Sequence, residues 1–200
     1  MGCILILNGS PRAPKSNSKR YAGLFMDCCK ADYAEITKTN HRELCARTGE
    51  YTDLVLAFPL YADGLPVTLL DFLKTLEAEP PKQKPTVSVL INCGFLEYAQ
   101  NHTAVEMVAL FCRQNGWSFG SVLEIGGGEA ILDTPFRFLA AGAIKKFARS
   151  VEKKRYARFH TTMPLPKSMF LKASAAYWTE YGKKNGVSEA EMRTMQIEES

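Results

Sequence analysis

The residues best suited to chemistry lie in one polar stretch, Asn8-Gly9-Ser10-Pro11-Arg12-Ala13-Pro14-Lys15-Ser16-Asn17-Ser18. Ser10, Ser16, Asn17 and Ser18 supply short donors, Arg12 and Lys15 supply positive charge, and Gly9 lets the backbone turn sharply or approach a ligand. Ser16 to Ser18 stand where a helix begins. The free N–H groups and the dipole of a helix N-terminus attract an anion. Donors, position and charge therefore agree on a phosphate cradle. A loop whose serine merely caps a helix is the plainer alternative. The stretch is not a P-loop, because no Gly-Lys-[Ser/Thr] occurs, and it does not spell Gly-x-Gly-x-x-Gly.

Three further loops carry candidate residues. In Pro59-Leu60-Tyr61-Ala62-Asp63-Gly64-Leu65-Pro66, two prolines hold the ends. Leu60 and Tyr61 can pack on a flat aromatic ligand, and Gly64 with the backbone amides can meet its polar edge. In Asn92-Cys93-Gly94-Phe95-Leu96-Glu97-Tyr98, Gly94 permits close backbone approach, and Phe95 and Tyr98 offer ring faces. No residue near Cys93 in sequence acidifies its thiol, so it reads as a small space-filling residue. Gly126-Gly127-Gly128-Glu129 reads either as another backbone approach or as a flexible turn.

Strands and helices must position these loops. Cys3 to Leu7, Leu54 to Phe58, Val87 to Ile91 and Ser121 to Ile125 are apolar runs, as in parallel strands covered on both faces. A weaker strand is expected from Tyr33 to Thr37. Between them run helical stripes: Tyr21, Leu24, Phe25 and Cys28; Leu69, Leu73 and Leu76; Val105, Val108, Ala109 and Cys112; and Phe136 through Val151. Parallel neighbours need crossovers of helical length. The alternation therefore predicts an α/β protein with a flavodoxin-like, doubly wound, five-stranded parallel sheet in three α/β/α layers. Ligands of such sheets bind beyond the carboxyl ends of the strands, where strand order reverses, and the four loops follow four of the strands. Residues 1–160 are expected to form this domain. Residues 161–200 are expected to form a helical extension packed on it, with a capping box at Ser188.

The first three loops resemble the flavin-contacting loops of the flavodoxin-like NAD(P)H-dependent FMN reductases and quinone reductases. In those families a Gly-Ser-x-Arg loop and a later Ser-Asn-Ser hold the FMN phosphate, matched by Gly9-Ser10-Pro11-Arg12 and Ser16-Asn17-Ser18. A Pro-Leu-Tyr…Pro loop flanks the isoalloxazine, matched by Pro59-Leu60-Tyr61 through Pro66. A loop after the fourth strand closes the ring's polar edge, matched by Asn92-Cys93-Gly94-Phe95. This last loop departs from the Thr-Thr-Gly-Gly of quinone reductases, which bears on the acceptor more than on the flavin. The likeness covers residues 1–155 or so.

The resemblance implies FMN as cofactor and NADH or NADPH as co-substrate. It implies a ping-pong transfer of hydride to a small acceptor such as a quinone, a nitro or azo compound, or free flavin. The flavin would carry the chemistry, so no side chain is named as catalytic. Phe95, Tyr98 and Trp178 are candidates to wall the substrate face. The relatives' habit implies a homodimer. The rival class is a flavodoxin-like electron carrier that exchanges single electrons with partner proteins. Such carriers are acidic, whereas this chain has a net charge of +4.

Composition excludes other classes. The chain has 200 residues, 46% hydrophobic and 23% charged, enough for one core without a staple. No apolar run approaches the roughly 20 residues of a membrane span, and Met1 to Asn8 has no basic flank of a signal peptide. A cytoplasmic protein is expected, its six cysteines reduced. No cysteine spacing suits a metal or an iron–sulfur cluster, and His41, His102 and His160 are scattered. The basic run Lys145, Lys146, Arg149, Lys153, Lys154, Arg155 and Arg158 reads as a solvated face, so nucleic acid is not expected.

Overall fold

In the computed structural model, which describes residues 3–194, a buried parallel sheet carries the loops. Its strands are β1 (Ile4–Asn8), β2 (Asp32–Glu35), β3 (Asp53–Pro59), β4 (Thr86–Asn92), β5 (Phe119–Ile125) and β6 (Arg158–Thr161). The order is β2-β1-β3-β4-β5-β6, and every pairing is parallel. After β1 the chain fills one neighbour position, returns, and builds outward from the other side. The strand order thus reverses between β1 and β3. Asn8 pairs with Ala57 and Pro59 with Asn92, so the ends of β1, β3 and β4 stand side by side.

Helices cover both faces because the central strands are apolar on both. On one face lie α1 (Asn17–Met26) and α5 (Arg137–Glu152), joined by an edge-on pair of Phe25 and Phe147 rings. On the other lie α2 (His41–Thr48), α3 (Val67–Ala78) and α4 (His102–Gln114). Their buried Leu44, Leu69, Phe72, Leu76, Val105 and Val108 share one core with Leu54, Leu56 and Val89 of the sheet.

Three expectations are corrected. The sheet has six strands, not five. β6 escapes notice because it is a four-residue edge strand whose Arg158 and His160 face outward while Phe159 and Thr161 are half-buried. Such short, charged strands are how sheets protect their edges. Helix α2 was also not anticipated; its eight residues bury only Leu44, Cys45 and Thr48, too brief a stripe to read. Helix α1 stops at Met26, so Cys28 is exposed and Cys29 is the buried thiol. The basic run is solvent-exposed, with Arg158 paired to Glu106 at 2.9 Å and Lys154 lying 4.0 Å from buried Asp53.

The chain divides into two compact units, Met1–Met163 and Pro164–Ser200. The second holds α6 (Lys167–Lys184) and α7 (Glu189–Thr194). Gly186 at φ +79° turns the chain between them. The capping box closes in both directions: Glu191 N–H donates to Ser188 Oγ, and Ser188 N–H donates to the Glu191 carboxylate. Tyr177, Trp178 and Tyr181 form a contiguous set of exposed rings. Among the described residues no helix is long and apolar enough to cross a membrane.

Candidate functional site

The β1–α1 loop is organised by Asn8, the last residue of β1, whose side chain is fully buried. Its Oδ1 accepts from Ser10 N–H, and its Nδ2 donates to Ser16 Oγ at 3.2 Å and to Tyr33 Oη at 2.9 Å. Ser16 is the N-cap of α1, accepting from Lys19 N–H. A hydroxyl has one hydrogen and two lone pairs. Ser16 Oγ already accepts twice, so its own hydrogen is left for a ligand. Ser10 Oγ accepts from Arg12 N–H and has its hydrogen free in the same way.

The remaining cradle residues divide differently. Ser18 is buried, and its hydroxyl donates to Asn92 Oδ1 across to the end of β4. Both polar atoms of the Asn17 side chain are engaged: Nδ2 donates to the Glu129 carbonyl and Oδ1 accepts from Arg20. Asn17 and Ser18 therefore face a ligand with first-turn amides rather than side chains. Arg12 extends its guanidinium over the opening.

The β3–α3 loop is tied to the β4 end by Leu60 N–H, which donates to the Asn92 carbonyl at 2.8 Å. Tyr61 and Gly64 then exchange both main-chain hydrogen bonds around Ala62 at φ +45° and Asp63 at φ +55°. Two consecutive positive φ values make a type I′ hairpin turn, which favours Asn and Gly. Ala62 pays steric strain there of order 1 kcal/mol.

The β4–α4 loop is fastened to the glycine run after β5. Gly127 N–H donates to the Phe95 carbonyl and Gly128 N–H to the Cys93 carbonyl, while Cys93 N–H donates to Ile125. The glycine run is thus a fixed brace rather than a flexible turn. A β-carbon on Gly126 would collide with the Leu96 carbonyl, and one on Gly128 would lie 2.7 Å from Asn92 Cβ. Tyr21 Oη completes the brace from α1, donating to the Gly128 carbonyl at 2.6 Å. Burial pushes the Cys93 thiol up to about 11, so at neutral pH it is protonated and fills space.

These loops enclose a cleft of about 50 Å³ lined by Ser10, Arg12, Ser16, Asn17, Ser18, Pro59, Leu60, Tyr61, Asn92, Cys93 and Gly94. That is room for a phosphate-sized group. Of the candidates read from sequence, Ala62, Asp63, Gly64 and Phe95 fall outside this lining. The first three belong to the hairpin turn beyond Tyr61, and Phe95 is exposed. The structure adds Glu129 to the lining. It also assigns Asn8 and Tyr21 supporting roles. Asn8 is recognisable from sequence as a polar residue ending a buried apolar strand. Nothing in the spacing marks Glu129.

Two histidines stand apart from the cleft lining. His102 Nδ1 is 3.5 Å from the buried Glu124 carboxylate, and His160 stacks on Tyr98.

Solved structures share this fold. An NAD(P)H:quinone oxidoreductase from Methanothermobacter marburgensis superposes with a TM-score of 0.58 at 15% identity, over 76% of this chain and 96% of that one. The chain has the flavodoxin-like fold. An FMN-dependent NADH-azoreductase from Bacillus anthracis, solved in complex with FMN, gives 0.57 at 14% identity over 74% and 98%. A flavodoxin from Streptococcus pneumoniae TIGR4 gives 0.56 at 16% over 76% and 99%. The cleft lies at the carboxyl ends of β1, β3 and β4, the switch point of such sheets. No family model and no curated protein matches the chain.

Proposed function

We propose that this protein is an FMN-dependent NAD(P)H oxidoreductase that passes electrons to a small acceptor. The observation that carries the reading is a single cleft at the switch point. It combines a phosphate-type donor set at the start of α1 with two loops suited to flank a flat ring.

The residues fit FMN. Ser10 and Ser16 hold free hydroxyl hydrogens, the Asn17 and Ser18 amides at the start of α1 stand open, and Arg12 supplies charge, which is what a phosphate monoester needs. A β-carbon on Gly94 would meet only Glu129 atoms at 3.6–3.8 Å, an ordinary contact. The protein's own packing therefore does not require glycine at this position, whereas close approach of a ring edge does. Leu60, Tyr61 and Phe95 offer apolar surface beside the mouth. When bound, the flavin would accept hydride from a nicotinamide and return electrons to an acceptor. Around it, Ser10, Ser16 and Arg12 would fix the phosphate, Tyr61 and Leu60 would shield one edge of the ring, and the 93–95 backbone would meet its polar side. Quinones, nitro or azo compounds and free flavin are the acceptor classes of this reading, with a homodimer as the assembly and the cytoplasm as the compartment.

The absorption spectrum of the purified protein tests the reading, before and after added FMN and then anaerobic NADH or NADPH. Bound flavin that bleaches within seconds is expected. Flavin that stays oxidised would favour the electron-carrier reading, and a protein that takes up no flavin would overturn both.

A further inference from the structure

The cleft that should welcome a dianion contains a carboxylate. Glu129 lines it together with Ser10, Ser16 and Ser18, and its Oε1 stands 4.0 Å from Arg12 Nη1. This ion pair is loose and exposed, so it does not hold the carboxylate in place by itself. The backbone does. The Glu129 carbonyl accepts from Asn17 Nδ2 at the first turn of α1. The preceding Gly127 and Gly128 are bonded to the β4–α4 loop. The Glu129 carboxyl group lies over Gly94, 3.6 Å from where a β-carbon would stand.

Two other cations of this corner, Arg20 and Lys19, have carboxylate partners of their own. Arg20 pairs with Asp133 at 2.5 Å, and Lys19 with Glu35 at 3.2 Å. Those two carboxylates lie outside the cleft lining; only Glu129 is inside it. A phosphate seated among Ser10, Ser16 and the α1 amides must take Arg12 from Glu129 and endure a like charge nearby. That cost falls on the phosphate and spares a neutral ligand of the same shape.

We infer that Glu129 is a specificity-determining residue of the cradle, resting on the FMN reading above. Its carboxylate competes with the ligand's phosphate for Arg12, so FMN is held exchangeably rather than permanently. Replacing the charge with the isosteric amide removes the competition and leaves the loop geometry intact.

The test is calorimetric titration of wild type, Glu129→Gln and Glu129→Ala with three probes: FMN, riboflavin and inorganic phosphate. Removing a partly screened like charge should tighten FMN by about three- to tenfold, tighten phosphate in the same direction, and leave riboflavin within about twofold. The Glu129→Gln protein should also retain more FMN per chain through gel filtration. Equal FMN affinity in all three proteins overturns the inference and leaves the FMN reading standing. Weaker binding of both flavins in the variants also overturns it, since Glu129 would then be bonding the ribityl chain. Tighter phosphate in Glu129→Gln, with no flavin bound by any of the three proteins, supports the competing carboxylate and sinks the FMN reading instead.

Discussion

The β1–α1 loop brings to the cleft two hydroxyls with free hydrogens, open helix amides and a guanidinium, whereas the β5–α5 loop brings a carboxylate. The first loop is held by side chains: Asn8 binds Ser10 and Ser16, and Ser18 reaches Asn92. The second is held by main chain, through Gly127 and Gly128 amides on the 93–95 carbonyls. A binding loop held by side chains spends its polar atoms on its own shape, and only the leftover hydrogens can serve a ligand. A loop held through its backbone leaves the Glu129 side chain to face the cleft. That is how Glu129 comes to stand in the cleft without being needed for the fold.

The sharpest way to break this comparison is Gly126→Ala. A β-carbon there must displace the Leu96 carbonyl. Overpacking of this kind should cost about 2–3 kcal/mol and lower Tm by about 5–10 °C. A melting curve superposing on wild type would show that the brace is soft.

Gly94→Ala contrasts with it. The site has room for the methyl group within the protein, so Tm should hold within about 2 °C while FMN affinity falls at least about tenfold. Unchanged affinity would mean that no ligand approaches Gly94.

Tyr21→Phe removes the hydroxyl that joins α1 to the brace and leaves the buried Gly128 carbonyl without that donor. A loss of about 1 kcal/mol in urea denaturation is expected. A neutral result would separate the two loops energetically.

The smallest effect belongs to the exposed Arg20–Asp133 pair. Arg20→Ala should cost no more than about 0.5 kcal/mol at neutral pH. The hydrogen bond from Arg20 holds the Asp133 carboxyl below its ordinary 3.8. A depressed carboxylate stabilises the fold above its unfolded pKa and loses that contribution as pH falls through the folded value. The difference between wild type and variant should therefore shrink as the pH falls below the ordinary 3.8 of the carboxyl group, which Tm measured across that range will show.

Much of the architecture was legible because the core strands are continuous apolar runs and the helices α3, α4 and α5 carry long stripes. What escaped was short or polar: β6 with its outward Arg158 and His160, and α2 with two buried apolar residues. At the cleft, Ser10, Arg12, Ser16, Asn17 and Ser18 were readable because five donors stand within ten positions of a strand end. Their division of labour was not. That Ser16 faces a ligand while the Ser18 hydroxyl faces Asn92 depends on which partner each hydroxyl meets: a donor, Asn8 Nδ2, eight residues from Ser16, and an acceptor, Asn92 Oδ1, 74 residues from Ser18.

By itself the sequence determined a parallel α/β sheet, a helix start of the kind that attracts an anion, and the loops that follow its strands. These follow from local pattern, because strand runs, caps and turn residues act within a few positions of one another. Only the tertiary structure decided the sixth strand, the brace that turns Gly126 to Gly128 into a rigid support, and the carboxylate in the cradle. Glu129 meets Asn17 across 112 residues. Such a meeting is set by how β5 lies two strands from β3 and how α5 packs beside α1, and no spacing along the chain encodes it.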